Sequence, residues 1–390
     1  MATLFDTSER SDGAPASHGE DMFSFLTRVD QPYWAAVRDV LDEWFAELPA
    51  AEQDELRKRF RTGKYGEILS ALWQLYLHAL LVRSGFTVTA HPTLPGTERM
   101  PDFIALDESG EGLYLEAAVV VEPDDEAARR RVLGGIYDQI SLVPSPRFWL
   151  RVYLDAEGDQ PPPAARLRPF LTDWLATLDY DRSVELAYAK RWDEQPQTTW
   201  EVAGWKLRFM VLPKVPPDRG PTIGMYPSEG GVFDVRSEVL PTLKKKASRY
   251  GQPDRPYVIA VLCDNVVGND GDIEAALFGR TTINFARAGE QTFYWGAQRK
   301  HDGLWTPDRG TRVSAVLSAT EFKPHTLAGV VPRLWTNPWA RRPLAVDLPW
   351  AAHASPTETE APLITDPVKP PHEVLGLAAD WPPGEPFPDE

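Results

Sequence analysis

Three acidic residues of this 390-residue chain lie in apolar stretches of sequence. Glu116 lies inside the strand-like run 113–120, Asp102 begins a second such run, and Glu67 lies early in a helix-like segment. A buried carboxylate costs several kcal/mol unless it is paired, protonated or bound to a cation. Convergence of the three on one hard divalent cation would satisfy them, and a cation held in this way can activate water and neutralise a phosphate.

The elements that must position these carboxylates follow from the hydrophobic spacing. Apolar residues repeat at helical spacing over 66–83, and Ser84-Gly85 provides a residue suited to a left-handed helix end. After this helix, the turn cluster 107–112 separates the last two of three strand-like runs: 86–90, 102–106 and 113–121. The sequence therefore predicts a helix followed by a small sheet that carries Asp102 and Glu116.

This order of a helix glutamate, a Pro-Asp hairpin and a strand Glu-x-x resembles the core of the PD-(D/E)xK restriction-endonuclease-like superfamily over residues 65–121. By that resemblance, Asp102 and Glu116 would be catalytic metal ligands. Glu67 would be an auxiliary catalytic ligand from the first core helix. The cofactor would be Mg²⁺ or Mn²⁺, and the activity that of a metal-dependent nuclease in bacterial nucleic-acid defence or processing.

The sequence departs from that family at its catalytic lysine. The lysine should fall two residues after Glu116, on the same strand face, but Ala118 occupies that position. In some such folds the lysine comes from the neighbouring helix, which makes Lys246 the candidate, on the predicted helix 234–250 that precedes strand 257–263. Alternatively the site is degenerate, and the protein is a catalytically inactive scaffold that binds nucleic acid or a partner subunit.

A basic and aromatic segment near the C-terminus is the candidate nucleic-acid interface. The formal net charge is −16 and the pI about 5.0, so a polyanion would have to bind through a local basic patch. Such side chains can stack on bases and pair with phosphates, or they can close a core with the arginines solvated at its rim. The residues concerned are Arg333, Trp335, Trp339, Arg341 and Arg342.

The C-terminal half is also similar to an uncharacterised bacterial family. The resemblance covers the Lys-Ala-x-x-Tyr-Gly segment 246–251, the strand 256–261 and the segment 337–344. It implies no activity. It indicates that both halves of the chain belong to one architecture.

We predict an α/β (α+β) fold in which a restriction-endonuclease-like mixed sheet is flanked by helices. Small polar residues at the N-terminus and prolines in the tail indicate loosely packed ends. The predicted parts are a disordered N-terminus (1–24), a helical N-terminal segment (25–64), a nuclease-like core (65–265) with a large insertion (about 126–230), a β-rich C-terminal α/β extension (266–350) and a Pro-rich tail (351–390).

Other classes of function lack the residues they need. Cys263 is the single cysteine, which excludes intramolecular disulfides and Cys-cluster zinc sites, and His91 and His301 lack a zinc-binding spacing. No apolar run approaches the roughly 18 residues that a membrane span requires, and no secretory leader is recognisable. We therefore expect a cytoplasmic protein with no membrane partner.

Overall fold

The computed structural model describes most of the chain. The described ranges are 3–6, 10–17, 19–121, 124–217, 222–225, 235–264, 270–288, 291–357 and 361–388. The α-helices within them are α1 (Met22–Arg28), α2 (Pro32–Ala46), α3 (Ala50–Phe60), α4 (Tyr65–Arg83), α5 (Asp124–Ser141), α6 (Leu167–Ala176), α7 (Tyr180–Tyr188), α8 (Val235–Ala247), α9 (Asp270–Phe278) and α10 (Pro371–Leu375).

The strands occur in groups between these helices. In chain order they are β1 (Thr87–Ala90), β2 (Phe103–Leu106), β3 (Gly112–Val120), β4 (Phe148–Ala156), β5 (Gln197–Val202), β6 (Trp205–Pro213), β7 (Ile223–Met225), β8 (Tyr257–Cys263), β9 (Thr281–Ala288), β10 (Gln291–Arg299), β11 (Ala315–Thr320), β12 (Arg333–Thr336), β13 (Ala352–Ser355) and β14 (Leu363–Thr365). Helix α4 and strands β1, β2, β3 and β8 lie where the hydrophobic spacing predicts them.

The chain divides into two compact units, and the larger one contains an eight-stranded sheet. This unit comprises Met1–Pro15, Asp21–Val121 and Phe233–Glu390. Its strand order is β1-β2-β3-β8-β11-β12-β13-β14. Strands β1, β2 and β3 form an antiparallel meander, whereas β3, β8 and β11 are parallel neighbours. The fold is thus mixed α/β, with a large mixed sheet flanked by helices.

The two faces of this sheet pack against different helices. Successive side chains of a strand point to opposite faces. From β3, Leu115 and Ala117 join the apolar cluster that contains α4. Tyr114 and Ala118 join a second cluster that contains α8 and α9. Glu116 is two residues from both Tyr114 and Ala118, so its side chain lies on the same face of the sheet as theirs, toward α8.

The smaller unit contains Ala16–Glu20 and Glu122–Val232, a range close to the predicted insertion at 126–230. Its four-stranded sheet has the order β5-β6-β4-β7. Strands β5 and β6 form a hairpin around Ala203 and Gly204, whose φ angles of 52° and 83° are those of a tight hairpin turn. Leu133 and Ile136 from α5 and Phe148 and Leu150 from β4 form part of its apolar core.

Both chain ends differ from the prediction of loose segments. Leu4 and Phe5 are buried in the core, and the Leu4 amide donates a hydrogen bond of 2.6 Å to Asp42. In the predicted Pro-rich tail, Val374 and Leu375 are buried and their helix α10 packs against α4. A few apolar side chains suffice to anchor a polar or Pro-rich segment, and composition does not reveal which of them do so.

The predicted C-terminal extension also differs from the structure. Strand β11 lies beside β8 in the main sheet, and the following strands continue that sheet outward. Strands β11 and β12 of the predicted extension are therefore part of the main sheet, whereas β9 and β10 form a separate two-stranded sheet. Of the helices in the described ranges, none combines the length and hydropathy that a membrane-spanning helix needs.

Candidate active site

The β2–β3 hairpin brings the first two carboxylates together. Its register pairs Phe103 with Leu115, so the preceding Asp102 lies opposite Glu116. Residues directly opposite each other in an antiparallel pair project to the same face of the sheet. The backbone amide of Ala117 donates to Asp102 Oδ2 at 2.7 Å and holds that carboxyl against β3. The predicted convergence of Asp102 and Glu116 is therefore present in the structure.

Glu116 is enclosed by hydrogen-bond donors. Its side chain is 1% exposed, and Lys246 Nζ lies 2.5 Å from its Oε1 atom. Arg249 donates to the same oxygen at 2.8 Å, and the Tyr250 hydroxyl donates to Oε2. Lys246 also donates to the Ala117 carbonyl at 3.0 Å. Each oxygen of this buried carboxylate is thus satisfied, which explains how an apolar strand accommodates an acidic residue.

The end of α8 supplies all three donors. Lys246 lies in its last turn, and Arg249 and Tyr250 follow three and four residues later, a spacing that places them on one side of a helical turn. The Arg249 amide bonds to the Lys246 carbonyl at 3.0 Å and prolongs that turn. Tyr257 steadies the turn, because its hydroxyl donates to the Lys246 carbonyl and its ring packs edge-on against Tyr250.

The charges around Glu116 nearly compensate one another. Two carboxyl groups, Asp102 and Glu116, face the cations of Lys246 and Arg249. Burial, and then the charge of Glu116, raises the pKa of Asp102 to about 6. Burial and the hydrogen bond to Glu116 raise the pKa of Tyr250, which therefore remains a hydrogen-bond donor at neutral pH.

Glu67 is not part of this site, which corrects the prediction for it. Its side chain is 51% exposed and lies 3.7 Å from Arg59. Helix α4 packs on the face of the sheet opposite to Glu116, with Leu69 and Leu72 in that cluster. Most residues of α4 are buried, and Glu67, in its first turn, is the one exposed residue of the helix. Glu67 therefore faces solvent and α3.

The predicted nucleic-acid residues have different environments. Trp335 is fully buried and donates to the Ser318 hydroxyl at 3.0 Å, so the expectation that it stacks on a base is wrong. Arg333 lies 3.6 Å from Asp270. Arg341 and Arg342 are exposed, and Trp339 is 39% exposed.

Another acidic group lies outside the predicted site. In the part of the chain that the structure describes, the one set of three His, Cys or acidic side chains with ligand atoms within 4.8 Å of one another is Glu52, Glu55 and His91. His91 Nε2 lies 3.2 Å from Glu52 and 3.8 Å from Glu55. The separation of His91 from α3 in sequence conceals this contact.

Sequence reasoning missed Arg249 and Tyr250 as site residues. The signal available was their helical spacing from Lys246. Comparison of the chain with protein-family models, curated proteins and solved structures gave no match. The function must therefore be argued from the chemistry of the site itself.

Proposed function

We propose that this protein is a metal-dependent phosphodiester hydrolase that acts on nucleic acid through a restriction-endonuclease-like core. The observation that carries the proposal is the meeting of Asp102, Glu116 and Lys246. Ala118 occupies the strand position at which the resembled family has its lysine. Lys246 substitutes for that lysine, because its ammonium group lies against Glu116 and the Ala117 carbonyl.

The arrangement of elements supports the same proposal. The antiparallel meander β1-β2-β3 is followed, after the second unit, by α8 and by β8, which pairs with β3 in parallel. Helices α4 and α8 pack on opposite faces of this sheet. A core helix and strand that complete the sheet after a long insertion are what the resemblance implies.

The carboxyl groups fit a hard divalent cation. Asp102 and Glu116 on neighbouring strands offer the oxygen ligands that Mg²⁺ and Mn²⁺ prefer, and they would hold the ion. When bound, the ion would activate water and neutralise charge on the phosphate. Ion binding at Glu116 competes with Lys246 and Arg249, so these two cations would be released toward the substrate.

Lys246, Arg249 and Tyr250 would each have a different role in the reaction. Lys246 has three donor hydrogens, and once the ion occupies Glu116 it would keep the Ala117 carbonyl and donate to a phosphate oxygen as negative charge develops there. Arg249 is 43% exposed and extends from Glu116 to the surface, where it would pair with a phosphate. Tyr250 would orient Glu116 as a positioning residue.

The test is metal-dependent cleavage of DNA and RNA by the purified chain. We expect cleavage with Mg²⁺ or Mn²⁺ and a loss of at least about 100-fold in Asp102→Asn, Glu116→Gln and Lys246→Ala, which corresponds to roughly 3 kcal/mol of transition-state stabilisation. Lys58→Ala, which alters an exposed lysine of α3, should leave the rate unchanged. Absence of cleavage with every divalent ion would refute the proposal.

One observation favours a second candidate, a non-catalytic scaffold with the same fold. Glu116 already has a donor on each oxygen, so the folded site needs no cation to be satisfied. In a scaffold, millimolar Mg²⁺ should leave the melting temperature of the wild type unchanged, as it should that of Asp102→Asn. In a hydrolase, the ion should stabilise the wild type more than that variant.

A further inference from the structure

Three arginines surround the segment that follows α8. Arg99 donates to the Arg249 carbonyl at 3.4 Å, Arg312 to the Gly251 carbonyl at 3.0 Å, and Arg342 to the Pro253 carbonyl at 2.9 Å. These three side chains, here termed the arginine collar, thus bind alternate carbonyls along 249–253. A carbonyl fixes a guanidinium group but does not neutralise its charge. Among the described residues, no carboxylate lies within ion-pair distance of the collar.

Several arginines elsewhere in the chain pair with carboxylates, although Arg38 and Arg255 also bind carbonyls. Arg83 is bound to Glu43 and Glu47, Arg129 to Glu157, Arg182 to Glu185 and Arg191 to Glu194. With 57 acidic residues against 41 Lys and Arg, carboxylate partners are abundant. Fixed but unneutralised arginines beside Glu116 therefore form a local positive surface on an acidic protein.

A groove beside the end of α8 extends this surface. Its lining includes Lys244 and Ser248 from α8 and the turn after it, and Arg309 and Arg312 from the segment 303–312. The groove has a volume of about 750 Å³, which includes space open to solvent. Lys244 has no ion-pair partner among the described residues, and Arg309 donates to the His301 carbonyl. Arg312 belongs to both the groove and the collar, so the two are continuous.

The loop with Trp339 borders the same surface. The Arg341 amide donates to the Thr311 carbonyl at 2.7 Å, beside Arg312. The surface is not purely basic, because the exposed residues Glu98, Asp254 and Asp308 lie along these segments. The carboxyl group of Asp254 accepts a hydrogen bond from the Tyr114 hydroxyl.

We infer that the arginine collar and the groove bind the phosphate backbone of a nucleic-acid strand and lead it to Glu116. Each collar guanidinium group uses one of its five N–H donors on a carbonyl and keeps the others for phosphate oxygens. Arg249 connects the two sites, since its carbonyl accepts from Arg99 and its guanidinium donates to Glu116. Trp339 offers an exposed ring for base stacking. The inference rests on the proposed function for the identity of the polymer.

The test measures binding without cleavage. Fluorescence anisotropy in EDTA would follow short labelled single-stranded DNA, the same sequence as RNA, and the DNA duplex. We expect Arg312→Gln/Arg342→Gln to weaken binding about tenfold or more and to reduce the slope of log affinity against log salt by about 1 to 2. The control is Arg182→Gln/Arg191→Gln, which removes two exposed, carboxylate-paired arginines and should not alter affinity.

A second variant separates loss of charge from loss of structure. Arg312→Lys/Arg342→Lys keeps the charges and should bind within about threefold of wild type, since much of non-specific affinity is electrostatic. The inference is overturned if the wild type binds none of the three probes, if the glutamine variant binds like wild type, or if the lysine variant loses as much as the glutamine variant. Collar-dependent binding without any metal-dependent cleavage would leave this inference standing and refute the hydrolase proposal.

Discussion

The two faces of the eight-stranded sheet use the same strand in different ways. Toward α4, β3 presents Leu115 and Ala117 to a continuous apolar cluster. Toward α8 it presents Glu116, with apolar neighbours on both sides along the strand. Alternation along β3 places the one acidic side chain, Glu116, on the α8 face. That face can therefore perform chemistry, whereas the α4 face of the strand is wholly apolar.

This difference has an energetic meaning. Burial of apolar surface toward α4 contributes about 25 cal/mol per Å² to stability. On the α8 face, two carboxyl groups and their cations leave water, and the desolvation cost offsets most of their mutual attraction. This charged group on the α8 face therefore adds little to stability when intact and costs much when one partner is removed.

The largest expected effect comes from removal of a cation that faces Glu116. Lys246→Met leaves a buried carboxylate with Arg249 and Tyr250 only, and we expect a loss of about 3 kcal/mol in the free energy of unfolding. Urea denaturation would measure it, with Lys245→Met, an exposed neighbour, as the control. The double variant Glu116→Leu/Lys246→Met should recover most of the loss. A single variant as stable as wild type would contradict the comparison of the two faces.

The second effect is a pH dependence that Asp102 confers. Its pKa is raised from 3.8 to about 6 by burial and by Glu116. The folded state keeps this proton after the unfolded chain has released it, so the contribution of Asp102 to stability is full below pH 3.8 and is lost as pH rises through about 6.

At about 1.4 kcal/mol per pKa unit, the loss attributable to Asp102 is at most about 3 kcal/mol. The difference in unfolding free energy between wild type and Asp102→Asn, measured in EDTA across this range, should decrease as pH rises. A difference that is constant with pH would show that Asp102 has an ordinary environment.

A smaller effect is expected from Tyr250→Phe. The change removes the hydroxyl that donates to Glu116 Oε2 and leaves a buried, charged acceptor without that partner. We expect a loss of about 2 kcal/mol, measured by thermal or urea unfolding. Tyr188→Phe, at an exposed position of α7, is the matched control and should be neutral. Equal stability of the two variants would remove Tyr250 from the site.

The smallest effect is expected on the opposite side of the sheet, at Glu67. Glu67→Gln breaks only a solvent-exposed ion pair with Arg59, so stability should change by less than about 0.5 kcal/mol. Any metal-dependent cleavage should keep its wild-type rate, in contrast to Glu116→Gln. A large loss of activity in Glu67→Gln would return Glu67 to the site.

Local patterns were sufficient to predict several parts of this arrangement. Alternating and continuous apolar runs predicted β1, β2, β3 and β8, and helical spacing predicted α4 and α8. The acidic residue in β3 indicated a site because a buried carboxylate requires a partner. Each of these inferences depends on residues within one element or one hairpin, where sequence distance and spatial distance are closely related.

Other features were open to more than one interpretation. The position of Glu67 early in α4 was compatible with a site or with a solvent-exposed surface, and in the structure its side chain is 51% exposed. An aromatic residue in a basic segment was compatible with base stacking or with a core, and Trp335 is in the core. Burial depends on what covers a residue, and that partner comes from elsewhere in the chain.

By itself the sequence determined that two carboxylates need partners, Glu116 because its strand is apolar and Asp102 because it begins the neighbouring strand of the hairpin. Ala118, at the position expected for a lysine, indicated that any basic group must come from elsewhere in the chain. Only the tertiary structure decided which groups meet them. Lys246 lies 130 positions from Glu116 along the chain, with the second unit between them, yet their atoms are in contact. The parallel pairing of β3 with β8 and the packing of α8 on that pair bring them together, because long-range contacts depend on how elements pack and not on their separation in sequence.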